Sequence, residues 1–98
     1  MQKLFITNME TRGGRPAANQ FIIETGDGRY FQSYNSLIAF VPFNGGPIVL
    51  GPDWDYSNTT RRYLYDFLPY GYNTKKDILA AIQDGRITPG DLQIGGGK

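Results

Sequence analysis

Short apolar runs alternate with glycine-containing turns through the first half of the chain, a pattern typical of antiparallel strands. Asp27-Gly28 and Asn44-Gly45 are hairpin signals, because glycine supplies the positive φ angles of a tight turn. The predicted strands are Lys3–Asn8, Gln20–Thr25, Arg29–Tyr34, Leu37–Phe43 and Pro47–Leu50.

Beyond residue 52 the apolar positions change to a helical spacing. The first helix is predicted to begin at an N-cap on Ser57 or Asn58 and to end at Leu68, just before a proline. The second helix is predicted to follow a cap at Thr74 and to end at Gly85. Both helices carry an apolar face that can pack on the sheet.

Together these elements predict an α+β fold, with an antiparallel sheet of four to five strands followed by two helices packed on it. The length of 98 residues indicates one domain over residues 1–98. Residues 1–50 are predicted to be β-rich, residues 53–94 helical and residues 95–98 a flexible tail. No apolar stretch approaches the length of a membrane span, so no membrane association is expected.

The composition contains neither cysteine nor histidine. Disulfides, thiolate metal sites and catalysis by Cys-His or Ser-His-Asp sets are therefore excluded. Asp53 and Asp55 are the remaining catalytic or Mg²⁺-binding option, but no motif supplies a third ligand. The expectation is a protein that is not an enzyme and that has no catalytic residues, metal or cofactor.

The segment Thr11–Gln20 is the most unusual loop, because Arg12 and Arg15 flank two glycines. Successive glycine N–H groups can form an anion nest, and the arginines could hold a phosphate or a carboxylate. Asn19 and Gln20 complete this candidate binding segment. The glycine spacing is not that of a P-loop, and a mobile surface loop is the simpler interpretation.

Tyr30, Gln32 and Tyr34 alternate along one predicted strand and would share one face. Such a face could stack on bases of single-stranded nucleic acid. An ordinary half-buried strand with cross-strand aromatic pairs explains the same pattern, and it is favoured because no RNP motif is present.

Aromatic residues surround two arginines in the segment 54–65. Tryptophan, tyrosine and arginine dominate the energetic centres of protein interfaces. Arg61, Arg62 and Tyr65 are therefore candidate binding residues, whereas Trp54 is expected to belong to the core. The net charge of only +1 gives no bulk indication of nucleic-acid binding.

Three segments, ETRGGRPAANQFIIET, GRYFQSYNSLIAF and WDYSNTTRRYLYDFL, together with the closing helix, resemble a family of small uncharacterised proteins of bacteriophages and mobile elements, notably from gut bacteria. The resemblance covers nearly the whole chain and implies an accessory protein in the cytoplasm of a bacterial host. By analogy it favours an inhibitor that binds a host protein, such as a CRISPR nuclease or another defence factor. Two alternatives stay open: an accessory protein that binds single-stranded or duplex nucleic acid, and a binder of nucleotides or small ligands at the arginine loop.

Overall fold

A six-stranded sheet in sequential order, β1-β2-β3-β4-β5-β6, forms the frame of the protein. The computed structural model describes residues 4–69 and 71–94. Its elements are β1 (Phe5–Glu10), β2 (Pro16–Glu24), β3 (Gly28–Ser33), β4 (Ser36–Pro42), β5 (Ile48–Leu50), α1 (Asn58–Phe67), α2 (Lys75–Asp84) and β6 (Ile87–Pro89). The predicted α+β class, with the sheet first and the helices after it, is confirmed.

Strands β1 to β5 form antiparallel hairpins, and both predicted turns lie where the glycine signals place them. The first turn is fixed by Thr25, whose hydroxyl oxygen accepts from the N–H groups of Asp27 and Gly28. Strand β2 begins at Pro16, earlier than predicted, so the arginine loop is shortened to residues 11–15.

The core lies between one face of the sheet and the two helices. Ile22, Phe31, Ala39 and Leu50 occupy neighbouring positions across four strands and carry this apolar face. Phe31 is fully buried and its ring stacks on that of Phe67 at 5.7 Å between centroids. The sheet is closed on this side by the apolar residues of the helices, Tyr63, Leu64, Phe67, Ile78 and Ala81.

The sixth strand is a correction to the predicted helical span 53–94. After α2 the chain returns to the sheet, and β6 pairs in parallel with β5. Ile87 is buried, and the Gly90 N–H donates to the Leu50 carbonyl at 2.9 Å. A strand of three residues that ends on a proline carries little local signal, since its pairing depends on a partner far away in the sequence.

Both helix starts agree with the predicted caps. The Ser57 hydroxyl accepts from the Thr60 N–H, and Thr74 forms a full capping box with Asp77. Gly85 ends α2 in the left-handed region, at φ 88°.

The face of the sheet away from the helices also carries apolar residues, with Ile23, Tyr30 and Phe40 side by side. The segment after β6 passes over this face, and the Tyr30 hydroxyl donates to the Gln93 carbonyl at 3.2 Å. The predicted tail 95–98 lies outside the described residues. In residues 4–69 and 71–94, neither helix has the length and apolar character needed to cross a bilayer.

Candidate functional site

One end of the sheet collects the loop 11–15, the turn 34–35 and the segment 51–57 that leads into α1. A cleft of about 590 Å³ opens between that turn and the first turn of α1, a size usual for small-molecule sites. We call it the hydroxyl cleft; it is lined by Ser33, Tyr34, Asn35, Ser36, Ile38, Asp53, Tyr56, Ser57, Thr59 and Thr60.

The inner wall of the hydroxyl cleft is a chain of three hydroxyl groups. The Ser33 and Thr60 oxygens are 3.0 Å apart, and the Ser57 hydroxyl donates to Thr60 Oγ1 at 3.2 Å. Ser33 and Thr60 are buried, so their mutual hydrogen bond joins β3 to α1. Each hydroxyl oxygen can hold more than one hydrogen bond, which leaves capacity for a group bound in the cleft.

Asp53 supplies the charge of the hydroxyl cleft. Its Oδ2 accepts a hydrogen bond from the Ser36 hydroxyl at 3.0 Å, which orients the carboxylate toward the turn 34–35. Among the described residues that line the cleft, none is a cation. The interior is therefore suited to neutral or positively charged ligands and disfavours a phosphate.

Two exposed tyrosines stand at the mouth of the cleft. Tyr34 is 47% exposed and Tyr56 is 74% exposed, which is unusual for side chains with so much apolar surface. Amide and hydroxyl groups lie beside both rings, from Asn35 and Thr59. Within the described part of the chain, the Asn35 and Thr59 side chains make no hydrogen bond, so they are free to contact a ligand.

The backbone that presents Tyr34 is strained. Tyr34 has φ 57° and Asn19 has φ 64°, both in the left-handed region that non-glycine residues rarely adopt. The two residues are joined, because the Tyr34 N–H donates to the Asn19 carbonyl at 2.8 Å. The Gln32 amide supports the same turn by donating to the Tyr34 carbonyl at 2.9 Å. Such strain is often held at binding and catalytic sites.

Gln20 lies behind the inner wall of the cleft, opposite Ser33 in the β2–β3 pairing. Its side chain is completely buried, and among the described residues neither its amide nitrogen nor its amide oxygen has a hydrogen-bond partner. Leaving a buried amide unpaired costs free energy. Packing in the core therefore does not explain why a polar residue, Gln20, stands at this buried position.

The arginine loop lies at the same end of the sheet as the cleft but does not line it. Arg12 and Arg15 are exposed, and in the described structure their guanidinium groups make no ion pair. The loop is held by backbone bonds, including one from the Thr11 N–H to the Arg15 carbonyl at 2.7 Å. Both guanidinium groups remain available to an anion.

Of the two α1 arginines, Arg61 holds structure together around the start of the helix. Arg61 pairs with the Asp55 carboxylate and donates to the Asn58 side chain. Lys75, at the start of α2, also binds Asp55 at 2.7 Å, so this carboxylate joins the starts of both helices. The hydrogen bond from Lys75, then that from Arg61, lowers the pKa of Asp55 below its ordinary value. Because Asp55 holds two cations and Asp53 faces the cleft, the two carboxylates do not act as a pair.

The remaining candidates on α1 are divided between surface and core. Arg62 is exposed, with its guanidinium 6.0 Å from the centroid of the Tyr63 ring. Tyr65 is half-buried and packs against the core, as does Trp54. The four candidate arginines therefore do not form one free cationic surface.

Tyr30 and Gln32 share one face of β3 as predicted, but they form no exposed stacking surface with Tyr34; the favoured interpretation, a half-buried strand with a cross-strand aromatic pair, fits better. Tyr30 is buried against Phe40, with 4.5 Å between ring centroids, and burial raises the pKa of its hydroxyl. Strand β3 ends at Ser33, so Tyr34 belongs to the following turn. Of these three side chains only Tyr34 reaches the cleft.

Sequence reasoning missed the serines and threonines of the cleft. The available signal was the density of small polar residues in two segments, SYNS at 33–36 and SNTT at 57–60. Each alone is typical of a turn or a helix cap, and only the packing of α1 on β3 brings them together. No group of three or more carboxylates in residues 4–69 and 71–94 is placed to hold a metal ion.

Comparison with curated proteins and with solved structures gives no match for this chain. A family model does match, over residues 6–84, a span that includes β2 to β5, all of β1 except Phe5, and every residue of the hydroxyl cleft. That match covers most of the 98 residues. The chain belongs to the family of unknown function DUF8033.

Proposed function

We propose that this protein is a non-catalytic binding domain that takes a sugar ring into the hydroxyl cleft. The observation that carries the proposal is the lining: hydroxyl, amide and carboxylate groups inside, two exposed tyrosine rings at the mouth, and no cation among the described lining residues. Ligand sites characteristically combine a few convergent polar groups with an apolar or aromatic surface.

A sugar ring meets both parts of this lining. A carboxylate such as Asp53 accepts from two neighbouring hydroxyls of a ligand, while the Asn35 amide and the Thr59 hydroxyl both donate and accept. The ring of Tyr34 or Tyr56 can pack against the C–H face of a sugar, because the aromatic face carries partial negative charge. A phosphate could accept from the Asn35 and Thr59 groups, but it has no hydroxyl to donate to Asp53 when fully ionised and is repelled by that carboxylate.

The shared chemistry of the ligand is a vicinal diol on a ring, and it has two sources. One is a free or polymeric saccharide, and the other is the ribose of a ribonucleoside, whose base would stack on an exposed tyrosine. A 2′-deoxynucleoside retains the base and lacks the diol. Comparing the three ligand types therefore separates the two sources.

The test is an NMR titration of the ¹⁵N-labelled protein with monosaccharides and disaccharides, adenosine and 2′-deoxyadenosine. We expect selective shifts of the amide signals in segments 33–36 and 56–60. Asp53→Asn should weaken binding by about tenfold, since a charge-assisted hydrogen bond becomes neutral. Asp91→Asn, at an exposed carboxylate outside the cleft, is the matched control and should leave the affinity unchanged. If no ligand shifts those segments at millimolar concentration, the proposal is wrong.

A second candidate is single-stranded nucleic acid, favoured by the exposed Arg12 and Arg15 at the same end of the sheet. A base could enter the cleft while the arginines contact phosphates outside it. Gel shifts at low salt with single-stranded DNA and RNA test this, because phosphate contacts are strongest there. The double variant Arg12→Gln/Arg15→Gln should weaken binding, whereas Arg62→Gln should not. An absence of any shift at low salt would exclude this candidate.

The resemblance to phage and mobile-element proteins supports a finer proposal about context. In a bacterial host cell, a binding domain without catalytic chemistry can act by occupying a site on a defence protein. Affinity capture from host lysate, with the Tyr56→Ala variant as the comparison, tests this directly. A partner that is retained by the wild type and lost by the variant would support it, and capture that is equal for both would count against the cleft as the contact.

A further inference from the structure

Strand β1 is an open edge with an apolar surface. Among residues 4–69 and 71–94, β2 is the one strand that pairs with it, so its other side is unpaired there. Leu4 is 49% exposed, and Phe5 and Ile6 are 60% and 64% exposed. Because neighbouring strand residues point to opposite faces, apolar surface is exposed on both sides of this edge.

Proteins usually protect a free edge strand with a charge, a proline or a covering segment. Residues 4–9 (LFITNM) contain no charged residue, no proline and no glycine. The irregularity in the β1–β2 register lies at the far end, between Asn8 and Glu10. In the described structure, the first half of β1 therefore has the features of a strand that pairs with another strand.

We propose that β1 pairs in antiparallel orientation with β1 of a second copy of this chain, which makes one continuous sheet across a symmetric dimer. The apolar row Ile6–Ile23–Tyr30–Phe40 gives the register. A two-fold axis at Ile6 places Ile6 opposite its own copy and continues this row across the interface. Directly opposed residues in an antiparallel pair point to the same face of the sheet, so their numbers must both be odd or both be even. The two-fold axis therefore passes through a residue and not between two residues.

The structure favours a copy of the same strand over other occupants. Strand β1 carries no charge over residues 4–9, so two copies of it can pair without charge repulsion. A charged strand of another protein would find no complementary charge on β1. The opposite edge, β6, has three residues and ends on Pro89, so β1 cannot extend the sheet through β6 of another copy. Pairing therefore closes at two copies and does not propagate into fibres.

Sedimentation equilibrium of the purified full chain tests the proposal across the micromolar range. We expect a mass of twice 11.0 kDa at the upper concentrations. Ile6→Lys places two like charges opposite each other and should weaken the dimer by at least about tenfold. Leu79→Lys, at a similarly exposed apolar residue on α2, is the matched control and should leave the dimer intact.

Circular dichroism and thermal unfolding establish that Ile6→Lys is folded, as expected for a side chain already exposed. Ile6→Pro is the second variant: Thr7 pairs with Ile22 on β2, so the Ile6 N–H lies on the open side of β1, and proline removes this donor without adding charge. A wild-type chain that stays monomeric throughout the range overturns the proposal. So does a dimer that both β1 variants leave unchanged, because its contact then lies elsewhere.

Discussion

Tyr34 is the residue at which local strain and exposure coincide. Its backbone lies in the left-handed region while its ring is directed toward solvent at the mouth of the hydroxyl cleft. Neither property is explained by packing in the core. The hydrogen bonds that it makes with Asn19 and Gln32 hold the turn in this conformation.

We expect Tyr34→Gly to unfold at higher denaturant concentration than Tyr34→Ala, with a free energy of unfolding larger by about 1 kcal/mol. Both variants remove the ring, but only glycine removes the steric cost of a positive φ. Urea unfolding of the two variants measures the difference. Equal stabilities would show that the turn relaxes without penalty.

Gln20 gives a second prediction at this scale, because its buried amide has no partner among the described residues. Gln20→Met keeps the shape and removes the unpaired polar group, so the free energy of unfolding should rise by about 1 kcal/mol. Gln32→Met is the control: it removes an amide that does donate a hydrogen bond and should lower stability slightly. A loss of stability on Gln20→Met would indicate that an ordered water satisfies the amide.

At the scale of elements, two carboxylates stabilise the starts of the helices through ion pairs and hydrogen bonds. Asp55 joins the segment before α1 to Lys75 at the start of α2, and Asp77 accepts from the Asn73 and Thr74 N–H groups. Backbone hydrogen bonding from Asn73, followed by the Thr74 side chain, lowers the pKa of Asp77 below its ordinary value. Hydrogen bonding from Arg86 does the same for Asp84.

These lowered pKa values predict acid sensitivity. A carboxylate whose pKa is lower in the folded than in the unfolded state stabilises the fold fully above its unfolded value of about 3.9. That stabilisation is lost as pH falls below this value through the folded pKa. Asp77→Asn should therefore flatten the decline of unfolding free energy below about pH 4. Urea unfolding of the wild type and of Asp77→Asn across this pH range measures the two slopes, and equal slopes would contradict the assignment.

At this scale the sequence predicts those features whose interacting residues lie close together in the chain. Caps at Ser57 and Thr74 lie within three residues of the groups they bind, so their signal is readable in one segment. The hydroxyl cleft could not be read this way, because Ser33 and Thr60 meet only after α1 packs on β3. The burial of Tyr30 likewise depends on Phe40 in the neighbouring strand, and period-two alternation alone does not say which face is covered.

At the scale of the whole molecule, the sheet is completed by a strand of only three residues, β6. β6 follows both helices in the chain but completes the sheet begun by β1 to β5. Ile48, Leu50 and Ile87 are buried together in the core. The sheet order and the helix layer are therefore coupled through β6.

Ile87→Ala should lower the free energy of unfolding by about 3 kcal/mol, because it leaves a cavity where β6 meets the core. Thr88→Ala, at the exposed next residue of the same strand, should change it by no more than about 0.5 kcal/mol. Chemical denaturation of the two variants measures both values. Comparable effects at the two positions would show that β6 contributes little beyond its backbone pairing.

The parallel pairing of β6 with β5 also has a consequence for synthesis on the ribosome. Strands β1 to β4 can form hairpins as they emerge, since each needs only the strand next to it in the chain. Strand β5 keeps its outer edge uncovered until residues 87–89 have been translated and have returned past both helices. A nascent chain that stops earlier exposes that edge, which is a template for aggregation and a signal for proteases. Completion of the fold is thereby delayed until residues beyond the family-matched segment 6–84 have left the ribosome.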